Sequence, residues 1–263
     1  MTKTNLKEML ATALQAANSA RELIMSYYNG DFDIEIKADQ TPVTVADRGA
    51  ERMIREIISG AYPEHGIFGE EYGAENKETE YLWLIDPIDG TKSFVKRYGM
   101  FSTQIALMHQ GELVLGVSCA PAMNELVWAT RGGGAFDHSG PLHISHVENI
   151  GQASISTGNI QTLAAGGQWA ALGHILAQAN RTRGYGDYYH YHRLAAGQLD
   201  AVIESDVNIL DIAALSVIVT EAGGVFTDLD GQSPCLDTVS VLAANPRLHA
   251  VLSAELNAGT REN

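Results

Sequence analysis

The chain has 263 residues, 45% of them hydrophobic, and a formal net charge of −15 at pH 7. This length and composition allow a substantial core, in one large domain or two fused halves. The negative charge argues against nucleic acid or an anionic membrane as the general partner. Charged residues interrupt the Ala-rich N-terminal segment, so we expect no signal peptide or membrane span there. The two cysteines, Cys119 and Cys235, are far apart, which predicts no disulfide framework and a reducing, cytoplasmic location.

The first half of the chain is predicted to begin with helices and to continue as sheet. Apolar periodicity predicts helices near residues 4–28 and 44–59. Short apolar runs predict strands near residues 66–69 and 81–86. The segment Thr103–Trp128 then alternates apolar runs with polar turns. That alternation is typical of antiparallel strands.

The second half alternates strand and helix patterns, which is typical of an α/β architecture. Helices are predicted near residues 166–179 and 187–197. A third helix is predicted to begin with Asp211 as its N-cap and to stop at Gly223–Gly224, before a strand at Val225–Thr227. Helix capping is therefore the simplest role for Asp211.

Two aspartates, Asp86 and Asp89, follow an apolar strand. Pro87 fixes φ and Gly90 permits a tight turn, so the two carboxylates and the carbonyl of Ile88 can converge. Convergent hard oxygen donors suit Mg²⁺. The sequence therefore predicts a Mg²⁺ site just beyond the strand, and the alternative is an ordinary surface turn.

The residues around this turn add a candidate phosphate site and more acidic groups. The backbone N–H groups of Gly90 and Thr91 open the next segment, where a helix start or a nest can hold an anion. Upstream, Glu70 and Glu71 directly follow a short apolar strand and a glycine, where a solvated face would not normally begin. Adjacent cation and anion sites are what phosphate ester chemistry requires.

Taken together and in order, three segments resemble the signatures of the inositol monophosphatase family of Mg²⁺-dependent phosphatases. These segments are Gly69–Glu71, Trp83–Phe94 and Asp211–Gly224. Lys37 and Thr41–Asp47 extend the resemblance, which covers nearly the whole chain. Three separated motifs in register carry far more weight than one matched hexapeptide.

The resemblance implies an α/β fold, the layered αβαβα sandwich of that family. In it an α+β N-terminal half, residues 1–150, carries most of the metal ligands and packs on an α/β C-terminal half, residues 151–263, which carries Asp211 and the substrate-specificity loop. A homodimer is also implied. The expected activity is hydrolysis of a small phosphorylated substrate, in direct in-line attack by metal-activated water and without a covalent phosphoenzyme.

The resemblance also implies a ligand set for two or three Mg²⁺ ions. Asp86 would bridge two ions, Glu70 and the Ile88 carbonyl would complete one of them, and Asp89 with Asp211 would complete the other. Two such ions bridge the phosphate, lower the pKa of a bound water and stabilise the leaving oxygen.

Three residues are implied to act beside the metals. Glu70 and Thr91 would orient the attacking water. Asp47 would either tune a weaker third ion or hold the Thr91 hydroxyl, and its structural alternative is an acidic residue at a helix start.

Substrate choice is predicted from two further carboxylates. Gly186–Gly197 aligns with the loop and helix that line the family's organic pocket, and Asp187 stands where inositol phosphatases commonly have a small hydroxyl residue. Glu204, seven residues before Asp211, matches the position that contacts the leaving alcohol. Two carboxylates favour a cationic leaving group over a neutral polyol. Histidinol phosphate carries an ammonium and an imidazole, so a histidinol-phosphatase of histidine biosynthesis is predicted.

Several alternatives stay open at this point. The same chemistry would serve an inositol-1-phosphate or other small sugar or polyol monophosphatase, and a non-catalytic phosphate-binding regulatory protein is a third possibility. Asp187 can instead cap a helix, and Glu204 can pair with Arg193 or Arg183. The aromatic run Tyr188–His192 can bind the imidazole of the substrate, but such runs more commonly pack in a core or a dimer interface.

A zinc site at His138, His143 and His146 is a weaker hypothesis. These residues lie in a Gly/Pro-containing loop without a convincing fourth ligand. The family resemblance places an ordinary strand in this segment.

Overall fold

The computed structural model describes residues 3–30, 34–36 and 42–258. Lys37 and Thr41, which belong to the family resemblance, lie outside the described residues. The chain forms two compact units. The first contains the described part of residues 1–140 together with Leu210–Ile218, and the second contains Pro141–Ile209 and the described residues from Val219 onward. This division differs from the predicted one in two ways: the chain passes into the second unit after Gly140 and not after residue 150, and Asp211 belongs to the first unit and not to the C-terminal half.

The first unit is an eight-stranded sheet with two long helices. Its sheet order is β10-β9-β8-β7-β6-β5-β3-β4, in which β3 and β5 are parallel, whereas β4 on β3 and the successive neighbours from β5 to β9 are antiparallel. A separate antiparallel pair, β1 and β2, precedes it. The elements are α1 (Lys3–Asn29), β1 (Ile34–Ile36), β2 (Pro42–Thr44), α2 (Val45–Ala61), β3 (Gly66–Gly69), β4 (Gly73–Glu75), β5 (Tyr81–Asp89), α3 (Thr91–Val95), β6 (Ser102–His109), β7 (Glu112–Ala120), β8 (Glu125–Thr130), β9 (Gly134–Asp137) and β10 (Gly140–Pro141).

The helices α1 and α2 pack on each other and on the middle of this sheet. Helical spacing places Ala46, Ala50, Ile54 and Ile58 on one buried face of α2. They join a core with apolar side chains of α1, β5, β6 and β7. The polar loops at the ends of β3 and β5 are thereby held on a rigid base.

The second unit is a five-stranded sheet of order β12-β11-β13-β15-β14. Strand β11 runs parallel to β12 and β13, and β15 runs antiparallel to β13 and β14. The elements, with α7 spanning residues of both units, are β11 (Ser154–Gly158), α4 (Ile160–Ala165), α5 (Trp169–Gln178), β12 (Arg181–Arg183), α6 (Asp187–Ala195), β13 (Ala201–Ser205), α7 (Ile209–Glu221), β14 (Val225–Thr227), β15 (Ser240–Ala244) and α8 (Pro246–Asn257).

Side-chain alternation separates the two faces of this second sheet. Ile155, Ala201 and Ile203 join the apolar core that includes α5 and α8. Ser156 and Glu204 belong to the opposite set, and both contact α6. One face of the sheet is therefore apolar, whereas the other carries polar groups toward α6.

Most predicted elements are present, and the differences have local causes. The strands at 66–69 and Val225–Thr227 begin and end as predicted. The helix predicted at 166–179 corresponds to α5, which begins at Trp169 and ends at Gln178, whereas α4, β15 and α8 were not predicted. Helix α7 begins at Ile209, so the N-cap assignment of Asp211 is wrong: Asp211 lies in the first turn. The segment 142–149 is irregular and not the strand expected from the family.

Within the described ranges, no helix combines the length and the apolar character needed to cross a membrane.

Candidate active site

Three aspartates meet at the end of β5. Asp86, Asp89 and Asp211 each offer a carboxylate oxygen, and these oxygens lie within 4.8 Å of one another. Among the described residues, this is the one group of three or more Asp, Glu, His or Cys side chains whose spacing would allow them to hold a metal ion. The three histidines of the zinc hypothesis form no such group, so that hypothesis is not supported.

An irregularity in β5 explains how two aspartates three residues apart share one face. A regular strand would point them to opposite faces, because side chains alternate. Asp86 pairs with Gln104 of β6, and Asp89 pairs with Ser102, so three steps on β5 oppose two on β6. The extra residue is a β-bulge at Pro87–Ile88, where proline is tolerated in a sheet.

Side-chain hydrogen bonds fix the turn that follows Asp86. Asp86 Oδ1 accepts from the Ile88 N–H at 2.9 Å. Thr103 Oγ1 donates to the Pro87 carbonyl at 2.8 Å. Gly90 has φ +84°, and a Cβ there would lie 2.8 Å from the Met100 carbonyl oxygen, so this position requires glycine. The predicted turn is therefore present and closely packed.

Asp211 reaches this cluster from helix α7. Gly116 of β7 lets the helix approach, because a Cβ at Gly116 would lie 2.3 Å from the Ala214 carbonyl oxygen. A carboxylate in the first turn also interacts favourably with the helix dipole. The sequence predicted that Asp211 joins the metal ligands, and the structure brings it to Asp86 and Asp89.

Glu70 lies at the rim of the cluster and not within it. It follows β3, its N–H donates to the Ile85 carbonyl at 3.2 Å, and its side chain is exposed. A side-chain hydrogen bond nevertheless joins it to Asp86. Its predicted role as a metal ligand stays a prediction.

Glu51, which was not predicted as a functional residue, holds the loop after Glu70. Its carboxylate is fully buried and accepts from the backbone N–H groups of Glu71 at 2.6 Å and Tyr72 at 3.3 Å. Arg55 Nε donates to it at 2.7 Å. A Cβ on Gly69 would lie 2.0 Å from Glu51 Oε1, so Gly69 makes room for this carboxylate.

Asp47 connects the start of α2 to Thr91. Asp47 Oδ2 accepts from the Thr44 N–H at 2.8 Å in a capping box. Thr91 Oγ1 lies 3.3 Å from Asp47 Oδ1 and 3.0 Å from the Ile88 carbonyl oxygen. Two of the predicted roles, starting the helix and holding the Thr91 hydroxyl, are therefore both present in the structure.

The electrostatics of the cluster favour a bound cation. Burial, followed by the charges of Glu70, Asp89 and Asp211, raises the pKa of Asp86 well above its usual range. Burial also raises the pKa of Asp47, although hydrogen bonds from Thr44 oppose the shift. Hard carboxylate and carbonyl oxygens that repel one another fit Mg²⁺, which neutralises them and prefers such donors.

Two polar residues of β6 support the cluster from behind. Ser102 Oγ donates to Asp89 Oδ2 at 3.3 Å, and Gln104 Nε2 donates to Ser102 Oγ at 2.7 Å. Neither residue was predicted from the sequence. Three consecutive polar residues, Ser102–Gln104, within an otherwise apolar strand were the available signal.

The predicted specificity residues lie in the second unit. Asp187 is partly exposed and is the first residue of α6, with φ +48°; the N-cap position belongs to Gly186. Glu204 on β13 is 3% exposed. Its Oε2 accepts from Tyr191 OH at 2.6 Å and is 3.0 Å from His190 Nε2. Glu204 is thus held by these two groups, and its proposed pairing with Arg193 or Arg183 is wrong.

The aromatic run of α6 is mostly core. Tyr188, His190, Tyr191 and His192 are buried, whereas Tyr189 is partly exposed beneath the Arg193 guanidinium. Core packing, the commoner use of such a run, is therefore confirmed for the four buried residues.

A partly buried carboxylate cluster suited to divalent cations, beside a threonine hydroxyl that is hydrogen-bonded to Asp47, is typical of a metal-dependent hydrolase. Comparisons with known proteins agree. A profile of the inositol monophosphatase family matches residues 5–261. Histidinol-phosphatase of Mycobacterium tuberculosis is 38% identical over 256 residues, covering 95% of this chain and 98% of that protein. Inositol monophosphatase of Dictyostelium discoideum is 34% identical over 263 residues, covering 96% of each. The solved structure of extragenic suppressor protein suhB from Bartonella henselae matches with a TM-score of 0.87 at 28% identity, covering 96% of this chain and 99% of that one.

The chain therefore belongs to the inositol monophosphatase family. It is a phosphatase for small phosphorylated substrates, and it has the α/β fold of that family. Family members are generally metal-dependent, and this chain carries an acidic cluster that fits a metal. The resemblance and the fold class predicted from the sequence are confirmed.

Proposed function

We propose that this protein is a Mg²⁺-dependent histidinol-phosphatase, which hydrolyses histidinol phosphate to histidinol and phosphate in histidine biosynthesis. The observation that carries the substrate is the environment of Glu204. This buried carboxylate receives its hydrogen bonds from a phenol and an imidazole, and Asp187 provides a second carboxylate in the same unit. Among the described residues no arginine or lysine pairs with Glu204, so its carboxylate favours a ligand that brings its own positive charge.

The metal would be held by the carboxylates described above. Asp86, Asp89 and Asp211, with Glu70 and the Ile88 carbonyl, are the proposed ligands for two or three Mg²⁺ ions. When bound, these ions would activate the attacking water and stabilise negative charge on the phosphate and leaving oxygens.

The chain's own groups would orient the nucleophile and the phosphate. The Thr91 hydroxyl, placed between the Ile88 carbonyl and Asp47, can accept a proton from water while passing its own proton to Asp47 Oδ1. Glu70 at the rim of the cluster would orient the same water. The N–H groups of Gly90 and Thr91 would donate to phosphate oxygens.

A second candidate substrate is inositol 1-phosphate or another polyol phosphate, which would use the same chemistry. The similarity to the Dictyostelium inositol monophosphatase favours it. A non-catalytic regulatory role is disfavoured, because the chain keeps the acidic cluster intact. The homodimer and the cytoplasmic location remain predictions.

Asp89→Asn tests the proposed metal chemistry, because it is nearly isosteric and removes one charged ligand. We expect phosphate release to fall at least about a hundredfold, given the several kcal/mol that such metal ions supply. Mg²⁺ binding, measured by calorimetry, should weaken in parallel, with little change in melting temperature. Asp237→Asn, at an exposed position, is the control. Hydrolysis that survives both Asp89→Asn and a chelator would exclude the metal mechanism.

A substrate panel tests the specificity. Histidinol phosphate should give the highest kcat/KM among histidinol phosphate, inositol 1-phosphate, 3′-phosphoadenosine 5′-phosphate and fructose 1,6-bisphosphate. A higher kcat/KM for inositol 1-phosphate would support the second candidate instead.

A further inference from the structure

A buried chain of hydrogen bonds ends at Glu204. The Tyr185 N–H donates to Ser156 Oγ at 3.2 Å. Ser156 Oγ lies 3.3 Å from His190 Nδ1, and His190 Nε2 lies 3.0 Å from Glu204 Oε2. Ser156 and His190 are both fully buried. The proposed metal chemistry uses neither of them.

Strand register explains why these groups meet. Ser156 and Gly158 are two residues apart on β11, so they share a face, and Gly158 lies directly opposite Glu204 of β13. A Cβ on Gly158 would lie 1.8 Å from Glu204 Oε1. The carboxylate therefore occupies the space that the glycine leaves, where His190 and Tyr191 of α6 reach it.

The hydrogen bonds also define a direction. Ser156 Oγ accepts the Tyr185 N–H, so its own hydrogen can point to His190 Nδ1. An imidazole that accepts at Nδ1 carries its hydrogen on Nε2 and donates it to Glu204. Tyr191 OH supplies a second donor to the same oxygen. The carboxylate is thus oriented by donors that need not cancel its charge.

We propose that His190 is the positioning residue that orients Glu204 for a cationic leaving group and ties it to the loop that carries Asp187. Tyr185, whose N–H begins this series of hydrogen bonds, precedes Asp187 by two residues, with Gly186 at φ +69° between them. The two proposed specificity carboxylates are thereby held in one hydrogen-bonded framework. This inference rests on the proposed function and adds the residue that sets its selectivity.

Two substitutions of His190 separate positioning from packing. His190→Gln can keep a donor near the Nε2 position, whereas His190→Leu removes it. His190→Leu should lower kcat/KM for histidinol phosphate about tenfold through a higher KM, the effect of losing one hydrogen bond to a charged group. The kcat/KM for inositol 1-phosphate should change little, and His190→Gln should recover part of the loss. His249→Gln, at another buried histidine of the same unit, should leave the ratio unchanged.

Binding and spectroscopy give readouts that do not depend on turnover. Calorimetry should show weaker binding of histidinol to His190→Leu, at unchanged Mg²⁺ affinity. Nitrogen-15 NMR of the imidazoles should identify the Nε2–H form of His190, and Ser156→Ala should shift its Nδ1 resonance. If neither His190 variant folds, Ser156→Ala, which removes only a hydroxyl, tests the same series of hydrogen bonds through the binding of histidinol.

The possible outcomes distinguish a failure of the positioning role of His190 from a failure of the proposed function. Equal losses on both substrates, an unchanged ratio in His190→Leu, or a His190 ring protonated on both nitrogens would overturn the positioning role. Glu204→Gln is the reference variant. If it also keeps the preference for histidinol phosphate, the proposed use of Glu204 fails; if it loses the preference while His190→Leu retains it, only the role of His190 fails.

Discussion

Glu51 in the first unit and Glu204 in the second are both buried carboxylates that lie against a strand glycine. Gly69 makes room for Glu51, and Gly158 makes room for Glu204. Their partners differ, because Arg55 pairs with Glu51 at 2.7 Å, whereas a tyrosine and a histidine hold Glu204.

This difference separates a structural carboxylate from one available for recognition. Arg55 cancels the charge of Glu51, and the remaining hydrogen bonds go to the backbone N–H groups of Glu71 and Tyr72. Glu51 therefore fixes a loop and has no need of a ligand. Within the part of the chain that the structure describes, Glu204 receives hydrogen bonds from Tyr191 and His190 and has no arginine or lysine partner, so a cationic ligand can still gain from its charge.

The largest expected effect is the loss of stability in Glu51→Gln. The change removes the buried partner of the Arg55 guanidinium and leaves only the exposed Glu75 carboxylate beside it, and breaking such a buried pair typically costs about 3 kcal/mol or more. Chemical denaturation at neutral pH should show this loss of unfolding free energy. Glu204→Gln should cost only about 1 kcal/mol, since it weakens hydrogen bonds and strands no arginine or lysine.

Glu75→Gln is the matched control for Glu51→Gln. Glu75 also pairs with Arg55, at 3.4 Å, but its side chain is 69% exposed. Its replacement should change the unfolding free energy by less than about 1 kcal/mol. If Glu204→Gln proved as destabilising as Glu51→Gln, the contrast between the two glutamates would disappear.

The next effect concerns the other proposed specificity residue, Asp187. Loss of a charged hydrogen bond to a cationic substrate costs roughly 1.5 to 3 kcal/mol. Asp187→Asn should therefore lower kcat/KM for histidinol phosphate roughly tenfold to a hundredfold. Hydrolysis of inositol 1-phosphate should stay nearly constant, so the measured ratio between the two substrates should flatten.

Asp206→Asn controls for the unusual backbone. Asp206 shares a positive φ, +57° against +48° at Asp187, and lies in the same unit. Asparagine tolerates this conformation as aspartate does, so neither change should strain the chain. A uniform loss on both substrates together with a lower melting temperature would show that Asp187 serves the helix and not the substrate.

The sequence was sufficient for groups that are contiguous along the chain, and it failed for groups that strand pairing brings together. Asp86, Ile88 and Asp89 could be predicted because a single turn holds them. Glu51 could not, since one turn after Asp47 it looks like any polar residue of an amphipathic helix. Its role appears only when the loop after β3 folds against it.

The same limit applies to the candidate specificity site. Ser156, His190 and Glu204 come from three elements, and they meet only because β11 pairs with β13 and α6 packs against both strands. With Asp211 as N-cap the first helical residue was predicted at Ile212, and α7 begins three residues earlier because Ile209 and Leu210 continue the apolar pattern ahead of Asp211. An aspartate near a helix start suggested an N-cap, but in the folded chain Asp211 lies in the first turn of α7 and its carboxylate joins the acidic cluster.

The smallest expected effect concerns the pH dependence of stability at His249. It tests whether the interior of the second unit disfavours a charge without an oppositely charged partner, as the comparison of Glu51 with Glu204 requires. His249 is 8% exposed and lies 2.9 Å from Thr227 Oγ1, and burial lowers the pKa of its imidazole below the ordinary value of 6.5. As the pH falls below about 6.5, the unfolded chain takes up this proton before the folded chain does, so stability is lost. The loss continues until the pH passes below the pKa in the folded state. His249→Gln removes this titration, so its melting temperature should fall less than that of the wild type between about pH 7.5 and pH 5.5. If the melting temperatures of the wild type and His249→Gln changed equally with pH, this interior would accommodate a proton on His249 without cost. The argument that Glu204 favours a cationic ligand would then lose its electrostatic basis.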